Sequence, residues 1–275
     1  MSQPWEIYDA LLDGLPDDVV VRTAGQGPRW SRVLNSAGGV GTAWTMDVRS
    51  RPALNDGPLE GRPLRDVGAL AKSWNLAEAS IGQAAINSWY SREETAAANG
   101  FEPTGEGLTW RQVFDPYQKM IAGRKVAVIG HFPFAEAALA GAGEYICLER
   151  NLQPGDWPDS ACEYVLPECD LVFISSSSFV NKTAPRLIEL SRQAHTVLVG
   201  PSTPLNPVLL DYGVDTITGF IAASSLSNPA SLAEMVPAGD IGPGFRVHRH
   251  RDWAGRDHLC QGGGVAERPR RDETG

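Results

Sequence analysis

Short apolar runs alternate with helical stretches through the second half of the chain, and this alternation constrains the fold more than any other feature. The run Lys125-Val126-Ala127-Val128-Ile129-Gly130 is typical of a buried parallel strand that ends at a glycine. The same pattern predicts further strands at Tyr145–Leu148, Leu171–Ile174, Thr196–Val199 and Thr216–Ile221, with helices at Pro185–Gln193 and Pro229–Val236. Strands and helices in this order predict a Rossmann-like parallel sheet covered on both faces.

The first hundred residues have a different organisation, in which short strands precede helices. A helix is predicted at Trp5–Leu12, followed by strands at Val19–Val21, Trp30–Leu34 and Val40–Met46, and then by helical stretches over Pro63–Trp74 and Asn75–Asn99. This order indicates a smaller α+β domain. The chain is therefore predicted to divide into an α+β domain at 1–108, a Rossmann-like domain at 109–243, and a tail at 244–275 that is expected to be partly disordered.

Charge and cysteine content exclude several classes of partner. The net charge of −9 argues against nucleic-acid and anionic-membrane binding, which require clustered Lys and Arg. Without a long apolar run or a signal peptide, a cytoplasmic location is expected. The four cysteines form no C-x-x-C pair, and Cys147 is predicted to be a small buried apolar residue. A small molecule or a metal ion is the expected ligand, and the oligomeric state, a homo-oligomer included, stays open.

The residues after the first and second core strands are candidates for a ligand site, because ligands of parallel sheets bind at the carboxyl ends of the strands. Gly130-His131-Phe132 follows the first strand but lacks the glycine spacing of a dinucleotide loop. Glu149 ends the second strand, about 20 residues further on, where a ribose-binding acid would lie. His131 and Glu149 are predicted to be metal ligands or an acid/base pair.

The next two strand ends carry hydroxyl and amide groups. Ser175 begins a run of four serines that leads to Asn181 and Thr183, just before the helix at Pro185. Thr183 suits a helix N-cap, whereas the serines and Asn181 suit an uncharged or oxygen-rich ligand. Pro201-Ser202-Thr203 forms a rigid polar turn after the fourth strand.

The remaining motifs bear on which reactions the protein could catalyse and on where else a metal ion could bind. No nucleophile elbow, P-loop or H-E-x-x-H motif occurs, so acyl transfer and P-loop phosphoryl transfer have no support. The tail carries ligand-type side chains at His248, His250, His258 and Cys260, which could form a transition-metal site or belong to a solvated segment. The tail has little apolar periodicity, so its removal from residue 244 onward is expected to leave folding nearly unchanged.

Five segments carry a resemblance to a known family: Ser80–Asn87, Val128–Pro133, Leu166–Asp170, Phe179–Thr183 and Gly200–Pro204. Together they resemble paired domains of unknown function that are catalogued as putative heavy-metal chelation proteins. In that family an enolase-N-terminal-like domain precedes a Rossmann-like domain. The resemblance extends to about Gly239. It implies that the helix bearing Asn87 faces the strand ends of the second domain, so that both domains build one cleft.

The predicted function is the binding of a ligand in this interdomain cleft, either a small molecule or a transition or heavy-metal ion. The expected process is heavy-metal chelation, or chemistry related to a metallophore or a cofactor. The predicted ligand-binding residues are Asn87, Gly130, Phe132, Ser175, Asn181, Thr183, Pro201, Ser202 and Thr203, with His131 and Glu149 as the metal ligands. Two alternatives stay open. One is an enzyme that binds a nucleotide, a pterin or an adenosylmethionine-type ligand in the Rossmann-like half, and the other is a non-catalytic metal carrier.

Overall fold

The structure, a computed structural model, describes residues 3–104, 112–223, 241 and 244–251. The helix predicted at Pro229–Val236 and the tail residues His258 and Cys260 lie outside the described residues. None of the described helices combines the length and the apolar character needed to cross a membrane.

Three antiparallel strands and four helices form the first part of the chain, called the small unit below. The strands are β1 (Val21–Gln26), β2 (Trp30–Asn35) and β3 (Val40–Trp44), paired in the order β1-β2-β3. The helices are α1 (Glu6–Asp13), α2 (Leu64–Ala69), α3 (Leu76–Tyr90) and α4 (Glu93–Ala98), with a 3-10 turn at Leu70–Lys72. The order of strands followed by helices agrees with the pattern read from the sequence.

Helix α3 lies at the centre of the small unit. Its N-cap is Asn75, whose side-chain oxygen accepts a hydrogen bond from the Glu78 amide at 3.2 Å. Almost every residue of α3 is buried, and small residues let neighbouring backbones approach it closely. A Cβ atom on Gly82 would lie 2.0 Å from the Ala71 nitrogen. Glycine at this position therefore sets the distance between α3 and the 3-10 turn.

An eight-stranded, mostly parallel sheet forms the rest of the described chain. Its strands are β4 (Glu102–Pro103), β5 (Lys125–Ile129), β6 (Glu144–Glu149), β7 (Trp157–Pro158), β8 (Leu171–Ser175), β9 (His195–Val199), β10 (Thr216–Ala222) and β11 (Gly244–His250). The order across the sheet is β4-β11-β10-β9-β8-β5-β6-β7, and the neighbouring strands are parallel except that β11 runs antiparallel to both β10 and β4. The connections contain α5 (Ala135–Ala138), α6 (Cys162–Val165), α7 (Ala184–Leu190) and α8 (Val208–Asp211), with 3-10 turns at 115–117, 159–161, 166–168 and 176–179.

The strand order confirms the predicted α/β fold class and contains the crevice at which sheets of this kind usually bind ligands. From the central strand β5 the chain moves outward through β6 and β7, and it then returns to the other side of β5 for β8, β9 and β10. The connections after β5 and β8 therefore diverge. In sheets of this kind the resulting crevice at the carboxyl ends of the two strands is the usual ligand position.

Apolar residues cover both faces of the large sheet. On one face, a continuous core joins Tyr8 and Ile86 of the small unit to Ile174 and Leu198 of the sheet. On the other face, Phe114 and its neighbours pack against strands β5, β8 and β9. The small unit and the sheet thus share one hydrophobic core, which holds their relative position.

Some strand boundaries differ from those predicted. Strand β1 begins at Val21, where the predicted strand ended, and continues through Gly25 and Gln26, because both pair with β2 ahead of a tight turn. Strand β11 occupies Gly244–His250, the first residues of the segment assigned to the tail. It adds to the edge of β10 and is paired in turn with β4. The pairing partner, rather than the composition of the segment, makes this stretch a strand.

Candidate metal centre

Three ligand-type side chains meet beside the carboxyl ends of β5 and β6. His131 follows β5, Cys147 lies within β6, and Asp156 lies in the loop that leads to β7. One potential ligand atom from each residue lies within 4.8 Å of the others. The His131 Nδ1 atom is 3.0 Å from Asp156 Oδ1 and 4.0 Å from Cys147 Sγ. These three residues, called the HCD cluster below, bring nitrogen, sulfur and oxygen donors to one point.

The HCD cluster is partly shielded from solvent, and the His131 side chain is its most exposed member at 25%. Cys147 is 6% exposed, and the Asp156 side chain is 3% exposed. Burial is the main reason why the pKa of the Cys147 thiol rises to about 12, and the Asp156 carboxylate adds to the shift. Burial also acts to raise the pKa of Asp156, but hydrogen bonds from the Gln153 amide, His131 and the Cys147 thiol outweigh it and lower that pKa. Asp156 is therefore a buried carboxylate beside a neutral thiol.

The donor set fits a metal ion of borderline or soft character. Thiolate and imidazole are typical ligands of zinc and of softer ions, and a carboxylate completes many such sites. In a tetrahedral site with metal bonds of about 2.0–2.3 Å, two ligand atoms lie about 3.3–3.8 Å apart. The upper limit of 4.8 Å in the HCD cluster exceeds this by about 1–1.5 Å. Side-chain movements of that size would bring all three atoms onto one ion.

Glu149 lies close to the HCD cluster but has a different set of contacts. One of its carboxylate oxygens accepts the His131 amide at 2.8 Å, and the other accepts the amides of Arg150 at 2.6 Å and Asn151 at 2.9 Å. Three backbone donors therefore occupy the carboxylate that is predicted from the sequence to be a metal ligand. In this arrangement Glu149 holds the backbone of His131 in place.

Gly130 and Ser175, two of the predicted ligand-binding residues, lie at the crevice between β5 and β8. Gly130 has a φ of 100°, and a Cβ atom there would lie 3.0 Å from Ser175 Cβ. Glycine is needed both for the backbone conformation and for this close contact. The Ser175 hydroxyl is 2.9 Å from that of Ser177. Phe132 packs against the apolar core, with its ring 5.6 Å from that of Phe114.

Asn181 and Thr183 interact with each other at the start of α7. The Asn181 Oδ1 atom accepts the Thr183 hydroxyl at 2.6 Å and the Thr183 amide at 3.1 Å. Thr183 occupies the N-cap position, as the sequence suggested, but its side chain makes no capping hydrogen bond to the helix. The hydroxyl donates backward to Asn181 instead, so the pair shapes the loop before the helix.

The other predicted ligand-binding residues lie at the junction between α3 and the loop after β9. Asn87 is fully buried and donates to the Thr42 carbonyl at 2.8 Å. Gln83 donates to Asn87 Oδ1 at 3.1 Å and to the Ser202 carbonyl at 3.3 Å. The Ser202 hydroxyl accepts the Trp44 amide at 2.8 Å. Helix α3 thus faces a strand end of the large sheet, through hydrogen bonds internal to the protein.

The two neighbours of Ser202 belong to the same turn. Thr203 is fully buried, and its hydroxyl donates to the Gly200 carbonyl at 2.7 Å. Pro201 is half-buried. The polar groups of this turn are therefore used largely within the protein.

Replacing Asn87 with Ala is expected to destabilise the protein by about 1–3 kcal/mol, because the Thr42 carbonyl and the Gln83 amide would lose a buried partner. Urea unfolding followed by circular dichroism measures the change. The exposed Asn151 provides a control, since its backbone hydrogen bond survives replacement by Ala. Equal stability of the Asn87→Ala and Asn151→Ala proteins would contradict the role assigned to Asn87.

The two described histidines of the former tail segment are part of β11. His248 Nδ1 lies 2.9 Å from the Thr104 hydroxyl, and His250 Nδ1 lies 2.9 Å from the Thr216 hydroxyl. Burial lowers the pKa of His248, which keeps its ring neutral over a wider pH range. Within the described residues, neither histidine joins a group of three metal-ligating side chains.

Sequence reasoning found His131 but not its two partners in the HCD cluster. The sequence predicts that Cys147 is a small buried apolar residue, and Cys147 is buried in the structure. The pairing register of β5 and β6 explains why Cys147 lies in the cluster. The two strands are parallel and Val128 pairs with Cys147, so the thiol lies near the residue that follows β5. Asp156 lies in an irregular loop, where no pattern in the sequence singles it out.

The fold and the HCD cluster define a mixed α/β protein with a candidate metal centre at the carboxyl edge of a mostly parallel sheet. Residues 112–243 match the DUF364 family model and residues 8–90 match the DUF4213 model, both described as "Putative heavy-metal chelation". The chain belongs to the DUF364 family. This confirms the resemblance found in the sequence.

Solved structures agree with this assignment. A DUF364 protein of unknown function from Desulfitobacterium hafniense DCB-2 is 35% identical, with a TM-score of 0.76 over 90% of this chain and 98% of that protein. A second DUF364 protein of unknown function, from Pyrococcus horikoshii, is 20% identical and shares the fold, with a TM-score of 0.68 over 90% of this chain and 99% of that one. None of the curated proteins matches the chain.

Proposed function

We propose that the protein binds a transition or heavy-metal ion through His131, Cys147 and Asp156. The observation that carries this proposal is the convergence of an imidazole, a thiol and a carboxylate to within 4.8 Å. The family description of heavy-metal chelation points in the same direction. The metal ion is then the ligand that the protein binds.

The chemistry of the HCD cluster favours ions that bind thiolate, such as Zn²⁺ and Cd²⁺, over hard ions such as Mg²⁺. Hard cations prefer sites made of oxygen ligands, whereas this site offers one sulfur and one nitrogen for each carboxylate. Three protein ligands also leave a coordination position for water or for a donor from a second molecule. Glu149 acts as a positioning residue, since its carboxylate holds the His131 backbone.

Replacing Cys147 with Ser is expected to weaken Zn²⁺ and Cd²⁺ binding by about 100-fold or more, because the only sulfur ligand of the cluster is lost. Competition with a chromophoric chelator under reducing conditions measures the affinity. Cys162→Ser is the matched control, since Cys162 is also a buried free cysteine at 6% exposure but lies outside the cluster.

Two results would contradict the assignment. One is Cys147→Ser protein that binds both ions like the wild type. The other is a chain ending at Arg251 that no longer binds metal, since the ligands would then lie in the segment that contains His258 and Cys260.

Asp156→Asn is a second variant of nearly unchanged shape, and it should also lose affinity for both ions.

A further inference from the structure

Lys182 has an unusual backbone conformation in the loop between β8 and α7. Its φ is 67°, and among the described residues it is the only non-glycine residue with a positive φ. Lysine is not favoured in this region of backbone space, so the surrounding structure must hold it there. Residues held in this way occur preferentially at binding and catalytic sites.

The Lys182 side chain extends across to the small unit. Its ammonium donates to the Val180 carbonyl at 2.8 Å and lies over the Trp74 ring, 5.8 Å from the ring centre. In the part of the chain that the structure describes, no carboxylate lies within ion-pair distance of this ammonium. Burial lowers the pKa of Lys182 to about 8, and Glu78 opposes the shift. The ammonium is therefore partly removed from water without a counter-charge in direct contact.

Trp74 presents an aromatic surface beside this ammonium. It is 56% exposed, although exposing a large apolar ring to water is energetically unfavourable. Its ring also contacts that of Trp5, with centres 5.9 Å apart at an angle of 68°. A flat apolar surface next to an unpaired positive charge is complementary to a ring that carries an anionic group.

The contact between Lys182 and Trp74 is held in place by the packing of the small unit on the loop after β8. The Tyr8 hydroxyl donates to the Phe179 carbonyl at 2.7 Å, and the two rings meet edge to face at 6.1 Å. Both Tyr8 and Phe179 are fully buried. The two halves of the surface are thus fixed relative to each other before any ligand arrives, which reduces the entropic cost of binding.

We propose that Lys182 and Trp74 form a binding site for a planar aromatic anion, whose carboxylate or phosphate pairs with Lys182 Nζ and whose ring packs against the exposed part of the Trp74 indole. The site includes none of the residues of the HCD cluster. It joins a strand end of the large sheet to the small unit, so the ligand would contact both.

The first experiment compares two anions with their neutral counterparts by isothermal titration calorimetry. Adenosine monophosphate is paired with adenosine, and nicotinate is paired with nicotinamide. At least one anion is expected to bind ten times or more tightly than its neutral counterpart, and the pair that shows the difference identifies phosphate or carboxylate as the recognised group. Inorganic phosphate, which has no ring, should bind more weakly than adenosine monophosphate. If neither anion is preferred, the proposal is wrong.

The second experiment locates the site with three variants. Lys182→Met removes the charge while keeping the length of the side chain, and it should abolish the tenfold preference. Lys72→Met is the matched control, because the Lys72 ammonium lies at the same 5.8 Å from a tryptophan ring, that of Trp5, but is paired with Asp9. The exposed Trp74 gives a second test that does not depend on the strained loop, and Trp74→Leu should weaken binding of the anion by at least tenfold.

Unchanged binding in both Lys182→Met and Trp74→Leu would overturn the proposal, as would an equal loss in Lys72→Met. Cys147→Ser protein is expected to bind the anion like the wild type. The metal-binding proposal and the anion-binding proposal can therefore be tested independently.

Discussion

A chain that ends at Pro243 is expected to have a free energy of unfolding about 4 kcal/mol or more below that of a chain that ends at Arg251. The difference between them is β11, which pairs with β10 at seven positions from Gly244 to His250. Its removal would expose the edge of β10 and the apolar contacts of Val247, which is 1% exposed. Burial of one such side chain contributes about 1.5–3 kcal/mol, and the unpaired backbone of β10 adds to the loss.

Urea unfolding followed by circular dichroism distinguishes the two truncated chains. The shorter one should also aggregate more readily, because an uncovered strand edge can pair with another molecule. This expectation replaces the one drawn from composition, in which removal of residues 244–275 left folding nearly unchanged. If the two truncations have the same midpoint in urea, β11 does not stabilise the sheet.

Replacing Gly82 with Ala is expected to destabilise the protein by about 3 kcal/mol or more. The added Cβ atom would lie 2.0 Å from the Ala71 nitrogen and 2.4 Å from the Leu70 carbonyl carbon. Both contacts are with backbone atoms of the 3-10 turn, so no side-chain rotation relieves them, and the elements must move apart. Because α3 carries Gln83 and Asn87 to the loop after β9, a displaced helix would also disturb the junction between the small unit and the large sheet.

The control for Gly82 is Gly25→Ala. A Cβ atom at Gly25 has no neighbour within 4 Å, and the backbone there has no positive φ. Its replacement should therefore change stability by less than about 0.5 kcal/mol, as for most surface positions. Urea unfolding of both proteins provides the comparison. A Gly82→Ala protein as stable as Gly25→Ala would show that α3 can shift at little cost.

The central strands were predictable because a strand buried on both faces must be apolar along its whole length. Strands β5, β6, β8, β9 and β10 all come from such runs. The edge strands were not predictable. Strands β4 and β7 have two residues each, and β11 contains arginine and histidine at four of its seven positions. Their identity as strands depends on a partner that is distant in the sequence.

The same distinction applies to the candidate sites. His131 could be identified from sequence because any residue directly after a parallel strand lies at the ligand-binding edge. Its partners in the HCD cluster could not, since the register of β5 and β6 and the path of the loop to Asp156 exist only after folding. Likewise, nothing local separates Ser202, whose hydroxyl bonds within the protein, from a ligand-binding serine.

The amino-acid sequence by itself determined the fold class, the central strands and the edge of the sheet at which to look, because these follow from local apolar periodicity and from the direction of parallel strands. The tertiary structure decided which side chains meet there. Cys147 lies beside His131 in the HCD cluster. Asn87 and Ser202 form hydrogen bonds within the protein, and the Lys182 ammonium lies over the Trp74 ring. Each of these contacts links residues far apart in the chain, and only the packing of the small unit and the strands against one another brings them together.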